Sequence, residues 1–253
     1  TKLYTFKYSK DFPIAIPSTQ PETKLGDTAV AVHPSDERYQ QYIGQTFTVD
    51  VGAKQPLQIK VIADENVEKE FGTGALGVTP AHSQIDFAMY EVQKAKGDAI
   101  GLIPVIGLDG RMTEAAGPNY EGLTTEEARE KFVAWLREQG LLEKEEEMVQ
   151  NVGTSDRFGD VLEMIPMTQW WLDVNRVIPS KGKTLKALMS EAVTTGLNND
   201  AKARVSIMPD RFEKLYLQRI ENLRDWCLSR QIWWGHRIPV WYKGEEVMAS
   251  PTS

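Results

Sequence analysis

The sequence predicts an α/β protein: a mixed, β-barrel-like sheet with surrounding helices, followed by a second α/β segment. Three observations carry this prediction. The first 80 residues hold several short β-branched and aromatic runs separated by Pro, Gly and Asp turns. Residues 124 to 139 carry a full helix signature, and near the end of the chain a helical run feeds a short apolar strand, the order of an α/β layer.

In chain order, "LYTFKY", "FPIAI", "TAVAV", "QTFTVDV" and "LQIKVIA" read as strands of one twisted sheet. A helix is expected over about 84 to 96, where Ile85, Met89 and Val92 recur at the spacing of one buried face. "AIGLIPVIGLDG" gives a further strand and turn. In the next helix Thr124 and Glu127 form a capping box. Ala128, Phe132, Trp135 and Leu136 make its apolar stripe, and Gly140 stops it.

The acidic run "LLEKEEEMVQNV" reads as a solvated face or connector, and a domain boundary is placed near 150. Beyond it "DVLEMIPMTQWWLDV" is strand-like with a proline break, "TLKALMSEAV" is helical with Gly196 as its stop, and "NNDAKARVS" is a loop. The last helix begins at "PDRFEKLYLQRIENLRDW", with Pro209 near its start, where a missing N–H is harmless. "CLSRQIWWGHRIPVWY" closes the pattern as a short apolar strand.

A chain of 253 residues with 41% hydrophobic and 26% charged residues has an ordinary globular composition. No apolar run approaches the roughly 20 residues needed to span a bilayer, and the start carries no signal-peptide core. A cytoplasmic location is expected. Cys227 is the single cysteine, which excludes an internal disulfide and a cysteine-rich zinc site. A net charge of −7 argues against a generally basic nucleic-acid surface but leaves a local basic stripe open. Because Thr1 leads straight into a strand-like run, and another such run lies close to the end, the sequence is expected to be a fragment of something longer.

Gly72, Gly74 and Gly77 form a literal G-x-G-x-x-G in "GTGALGVTPAHSQIDF", with Asp98 near the spacing of a ribose-binding acid. A dinucleotide site needs a buried strand before the glycines and a helix directly after them. Upstream lies the charged "DENVEKEF", and downstream Pro80 would fall inside the helix, so the nicotinamide reading is rejected. His33, His82 and His236 show no metal-ligand spacing, and no serine or cysteine sits in a nucleophile elbow.

What remains is two polar loops. "STQPET", Ser18 to Thr23, follows "FPIAI" and offers hydroxyls, an amide and a carboxylate. Its companion offers glycines for close backbone approach, the Thr79 hydroxyl, and Asp86 near a helix start. By composition alone the first loop reads first as a plain polar turn, and Asp86 in the second as a carboxylate complementing the helix dipole. Meeting in one pocket, they would suit an ammonium group and a water beside an ester, but periodicity does not establish that they meet.

At "PETKLGDTAVAVHPSDERY", "FGTGALGVTPAH" with "DF", "PMTQWW" and "RFEKLYLQRIENLRDWCLSRQIWWGHRIPVWY" the chain resembles the valyl-tRNA synthetase family, over nearly its whole length. The resemblance implies an editing (connective peptide) insertion over 1–150. Over 151–253 it implies a connector and part of a class I, Rossmann-type catalytic domain. It further implies post-transfer hydrolysis of threonyl-tRNA(Val). Threonine and valine are near isosteres, which a hydrophobic synthetic pocket separates by only about a hundredfold.

Carried over by motif, Asp86 is the editing carboxylate expected to hold the α-ammonium. Thr19, Gln20, Glu22, Thr23, Phe71, Gly72, Gly74, Gly77, Thr79 and Ser83 are the expected substrate-binding set, with no metal. Editing would need no cofactor; ATP and magnesium are expected only of a full-length ligase, since H-I-G-H and K-M-S-K-S are absent here. The implied partner is the acceptor end of tRNA(Val) carrying esterified threonine, bound by a monomer away from any membrane. Three positions depart from the family pattern: Gln20 stands for arginine, Gly77 for lysine and Ser83 for aspartate. A site that keeps its shape and ammonium anchor but hydrolyses weakly or with altered selectivity is therefore expected. A silent binder of the tRNA end and an isoleucine-specific editing domain are the alternatives. Lys181, Lys183, Lys186 and Arg224 are the candidate basic path, while Trp226, Trp233, Trp234 and Arg230 are expected in core and interface.

Overall fold

The computed structural model describes residues 1–250 and divides into two compact units, Thr1–Pro166 and Met167–Ser253. The division falls after Pro166, further along the chain than the boundary expected near 150.

Unit 1 is built on two sheets. Strand β1 (Lys2–Phe6) lies between β2 (Ile16–Ser18) and β7 (Leu142–Glu147), both antiparallel to it. A four-stranded sheet runs β4 (Thr46–Val49), β5 (Leu57–Ala63), β3 (Ala29–Val32), β6 (Ala75–Val78), with β3 and β5 parallel and the other pairs antiparallel. The barrel-like expectation is thus corrected. β2 and β6 lie close together, but no ladder joins them and the two sheets stay open. Pro17 sits at the centre of β2 and has no N–H to donate, which suits β2 to an edge.

The alternation of β3 explains the two-sided core. Val30 and Val32 join a large cluster with Phe6, Tyr8, Phe12, Ile14, Phe132 and Leu136. Ala29 and Ala31 face a smaller cluster with Ile62, Val78, Met89 and Ile100. In the large cluster the rings of Phe6 and Phe132 meet edge to face at 5.9 Å, and those of Tyr8 and Phe12 at 5.0 Å. Phe12 and Ile14 are buried there without ladder bonds, so most of "FPIAI" is core without being strand. "AIGLIPVIGLDG" likewise contributes one bridge, Ile106 to Met112, around a turn.

Helix α2 (Thr125–Glu138) forms as its caps predict. Thr124 N–H donates to Glu127 Oε2 at 2.9 Å and Glu127 N–H to Thr124 Oγ1 at 3.3 Å. It buries Ala128, Phe132 and Leu136, while Trp135 stacks half-buried on Phe132. Helix α1 (Gln84–Ala95) turns differently from its apolar pattern: Asp86, Met89 and Gln93 are buried, while Ile85 and Val92 are exposed. A carboxylate held by a backbone N–H, described below, fixes that rotation.

Unit 2 holds helices α3 (Leu185–Thr194) and α4 (Asp210–Glu221). Three two-stranded antiparallel pairs accompany them: β8 (Trp171–Leu172) with β11 (Trp226–Cys227), β9 (Val177–Ile178) with β10 (Lys183–Thr184), and β12 (Val240–Lys243) with β13 (Glu246–Ala249). No parallel ladder occurs in this unit among the described residues, so the Rossmann-type expectation gains no support from it. Among its described residues the buried hydrophobic side chains are Val174, Val193 and Ile220. Trp226, Trp233 and Trp234 are exposed, which corrects their expected core placement. Among the described residues no helix is long and apolar enough to cross a membrane.

Candidate functional site

The two polar loops meet in unit 1. A cleft of about 280 Å³ is lined by Thr19, Gln20 and Thr23 from the first loop, and by Phe71, Gly77, Thr79, Ser83 and Asp86 from the second. The convergence follows from topology. The 3-10 turn Pro21–Gly26 leads into β3, β6 pairs antiparallel with β3, and Thr79 follows β6 directly.

Asp86 is 5% exposed, and its Oδ2 accepts the Thr79 N–H at 2.7 Å. Its own N–H donates to Ser83 Oγ at 3.3 Å, so Ser83 is the N-cap of α1 as well as a lining residue. The carboxylate is therefore fixed at a helix N-terminus with one oxygen used. Its other oxygen has no protein partner among the described residues. In the first loop the Thr23 hydroxyl donates to Gln20 O at 2.9 Å. The side chain of Gln20 makes no hydrogen bond among the described residues.

Three expected binding residues lie outside the cleft lining. Glu22 is fully buried and paired with Arg129 of α2, whose Nε and Nη2 donate to its two oxygens at 2.8 and 2.6 Å. It anchors the turn to the helix, because a buried carboxylate needs a charged partner. Gly72 and Gly74 both adopt positive φ, and a Cβ on either would strike protein: Pro17 Cγ at 2.8 Å for Gly72, Arg38 Nη2 at 2.4 Å for Gly74. Their close approach is to the fold's own atoms.

Sequence reasoning overlooked a buried polar network that joins the cleft lining to Asp27 and Tyr8. Lys24, from the same turn, is almost fully buried and lines the cleft. Its Nζ donates to Thr79 Oγ1 at 2.7 Å, to Gly77 O at 2.8 Å and to Asp27 Oδ1 at 3.3 Å. Asp27 also accepts from the hydroxyls of Thr79 and Tyr8. Burial pushes the Asp27 carboxyl up to about 6, against the opposing pull of Lys24 and the two hydroxyls, and drives the Tyr8 phenol well above its ordinary range. The available signal was the i, i+3 pair in "KLGD" beside a polar loop.

Gly77 fits this network by having no side chain. A Cβ there would lie 2.6 Å from Ile16 Cδ1 and 2.7 Å from Asp27 Oδ2.

His82 also lines the cleft. Its Nε2 accepts the N–H groups of Val105 (2.8 Å) and Ile106 (3.2 Å), and its Nδ1 faces Met164 O at 2.8 Å. Two donors on Nε2 and a carbonyl at Nδ1 require the neutral ring with its proton on Nδ1. Burial lowers its pKa in agreement. With both nitrogens engaged, His82 secures the wall and is not free to act as a base.

The cleft thus offers a fixed carboxylate, two threonine hydroxyls whose protons are committed to protein acceptors, and one buried ammonium. Such a surface accepts hydrogen bonds more than it donates them, and it suits a ligand carrying an ammonium and a hydroxyl. Among the described residues no cluster of His, Cys, Asp and Glu could hold a metal ion.

Comparison with known proteins gives the class to which the chain belongs. The family model of class I tRNA synthetases (I, L, M and V) matches residues 18–252, and the chain belongs to that family. Within it, the chain is 44% identical to the valine–tRNA ligase of Halalkalibacterium halodurans, over 96% of its length and 25% of the relative's. It is 44% identical to that of Carboxydothermus hydrogenoformans over the same shares, and 42% to that of Oceanobacillus iheyensis over 96% and 26%. The chain spans about a quarter of the length of the curated relatives it matches. A solved structure described as "The crystal structure of GlLeuRS-CP1" aligns with 53% of this chain and 83% of its own, at 14% identity and a TM-score of 0.42, a likeness too slight to argue from.

Proposed function

We propose that unit 1 is an editing domain of a valine-specific synthetase, one that hydrolyses the ester of threonyl-tRNA(Val). The observation that carries this reading is the meeting of Thr23, Thr79 and Asp86 in one cleft, with the Asp86 carboxylate held by the Thr79 N–H. The free oxygen of Asp86 grips the substrate's α-ammonium. A hydroxyl on the amino acid finds acceptors in the same cleft, where valine's methyl would leave them unpaired. Water attacks the ester carbonyl carbon, the carbon–oxygen bond to the ribose breaks, and the ribose oxygen takes the proton.

No histidine of the cleft is free to act as a base on either serine of its lining, because both nitrogens of His82 are engaged; Ser18 Oγ accepts the Gln20 N–H and Ser83 Oγ caps α1. The catalytic contribution is therefore positioning and electrostatics, so modest rates are expected.

Single-turnover deacylation of threonyl-tRNA(Val) by this chain and by Asp86→Ala tests the reading. Loss of tenfold or more in the variant supports it, and equal rates support a silent binder of the tRNA end. That second reading draws on one observation: at Gly77 the cleft has no side chain with which to meet a ligand. Of the expected basic path in unit 2, Lys183 is paired with Glu191, which leaves Lys181, Lys186 and Arg224 to test against RNA.

A further inference from the structure

The mechanism above leaves the buried pair Lys24–Asp27 unused. Lys24 and Asp27 are almost fully shielded from solvent behind Thr79, in a unit whose other ion pairs each keep at least one partner partly exposed. A buried pair of this kind is weak evidence for stability, because desolvation offsets most of its attraction. Its geometry is specific. All three Nζ protons of Lys24 have acceptors: Thr79 Oγ1, Gly77 O and Asp27 Oδ1. The Thr79 hydroxyl, with one proton and two lone pairs, gives its proton to Asp27 and takes a Lys24 proton on one lone pair. Its one remaining hydrogen-bonding capacity is a single acceptor lone pair, on a residue that lines the cleft.

We propose that Lys24 is a specificity-determining positioning residue: its ammonium, with Asp27, locks the Thr79 hydroxyl as an acceptor, so that the cleft favours an aminoacyl ester whose side chain brings a hydroxyl donor over one that brings a methyl. Lys24 acts through Thr79 and does not itself contact the reacting atoms. The charge count agrees. One ammonium against the carboxylates of Asp27 and Asp86 leaves the cleft one negative charge, which the substrate's α-ammonium balances. Removing Lys24 leaves the buried Asp27 carboxylate without that cationic partner, which favours its neutral acid; the acid can donate to Thr79 as well as accept from it, so the hydroxyl loses its fixed polarity while Asp86 keeps its own hold on the Thr79 N–H.

This inference rests on the hydrolytic reading of the same cleft, and the experiment separates the two. Single-turnover deacylation of threonyl- and valyl-tRNA(Val) is measured for the chain, Asp86→Ala, Lys24→Met and the double variant Lys24→Met/Asp27→Asn. The double variant leaves no unpaired buried charge and so guards against misfolding, which circular dichroism checks. The threonine-to-valine rate ratio should fall at least tenfold in both Lys24 variants, mainly through slower threonyl-ester hydrolysis, whereas a merely structural lysine would leave the ratio unmoved in the folded double variant. An unchanged ratio there, with Asp86→Ala still impaired, overturns the role of Lys24 and leaves the hydrolytic reading standing. Equal threonyl rates for the chain and Asp86→Ala remove both.

Discussion

The two units use the same kinds of residue to opposite ends. Unit 1 buries Phe6, Tyr8, Phe12 and Phe132 in one interlocked cluster and threads through it the pairs Glu22–Arg129 and Lys24–Asp27. Unit 2 carries six of the chain's seven tryptophans, all but Trp135, yet leaves Trp233 and Trp234 fully exposed and buries little beyond Val174, Val193 and Ile220. Aromatic density therefore does not mark the core of this chain. The buried charges do, because a lysine or glutamate stays inside only where the surrounding packing supplies every partner.

The contrast breaks most easily at Arg129. Replacing it with Met strands the fully buried Glu22 and should cost unit 1 about 3 kcal/mol, near the lower end for a broken buried pair because Arg129 keeps some solvent contact. Urea unfolding followed by circular dichroism reads the loss. A near-neutral result would mean that the turn does not depend on the helix.

A smaller effect carries a sign. Asp27 holds its proton more tightly folded than unfolded, so the stability that it contributes is complete below pH 3.8 and is lost as pH rises through about 6. Asp27→Asn should flatten that fall, on the order of 3 kcal/mol across the window. Urea midpoints on both sides of the window test it, and a fall of equal size in the variant would assign the dependence elsewhere.

Thr124→Ala removes the N-cap hydroxyl of α2 and should cost about 1 kcal/mol. Trp233→Ser in unit 2 should change stability by less than about 0.5 kcal/mol, since the ring touches little. A large loss there would show that unit 2 uses its aromatics as unit 1 does.

Local rules read well where local forces decide. The α2 capping box, β5 over Leu57–Ala63 and the stop at Gly196 (φ +84°) stand as the residues predict. They fail where a distant group decides. The apolar pattern of α1 puts Ile85 inside, but the Asp86–Thr79 bond turns that face outward. Of the expected binding residues, Thr19, Gln20, Thr23, Phe71, Gly77, Thr79 and Ser83 line the cleft while Glu22, Gly72 and Gly74 do not; motif position alone does not distinguish Thr23, which faces the cleft, from Glu22, which faces Arg129 one residue earlier. Lys24 was hidden for the same reason: its partners Gly77 and Thr79 lie more than fifty residues away in sequence.

The most direct measurement is the single-turnover rate at which threonyl-tRNA(Val) is deacylated by this chain and by Asp86→Ala. A drop of tenfold or more with secondary structure intact is the predicted result. Identical rates would contradict the account, since the carboxylate that lines the cleft would then have no part in the reaction.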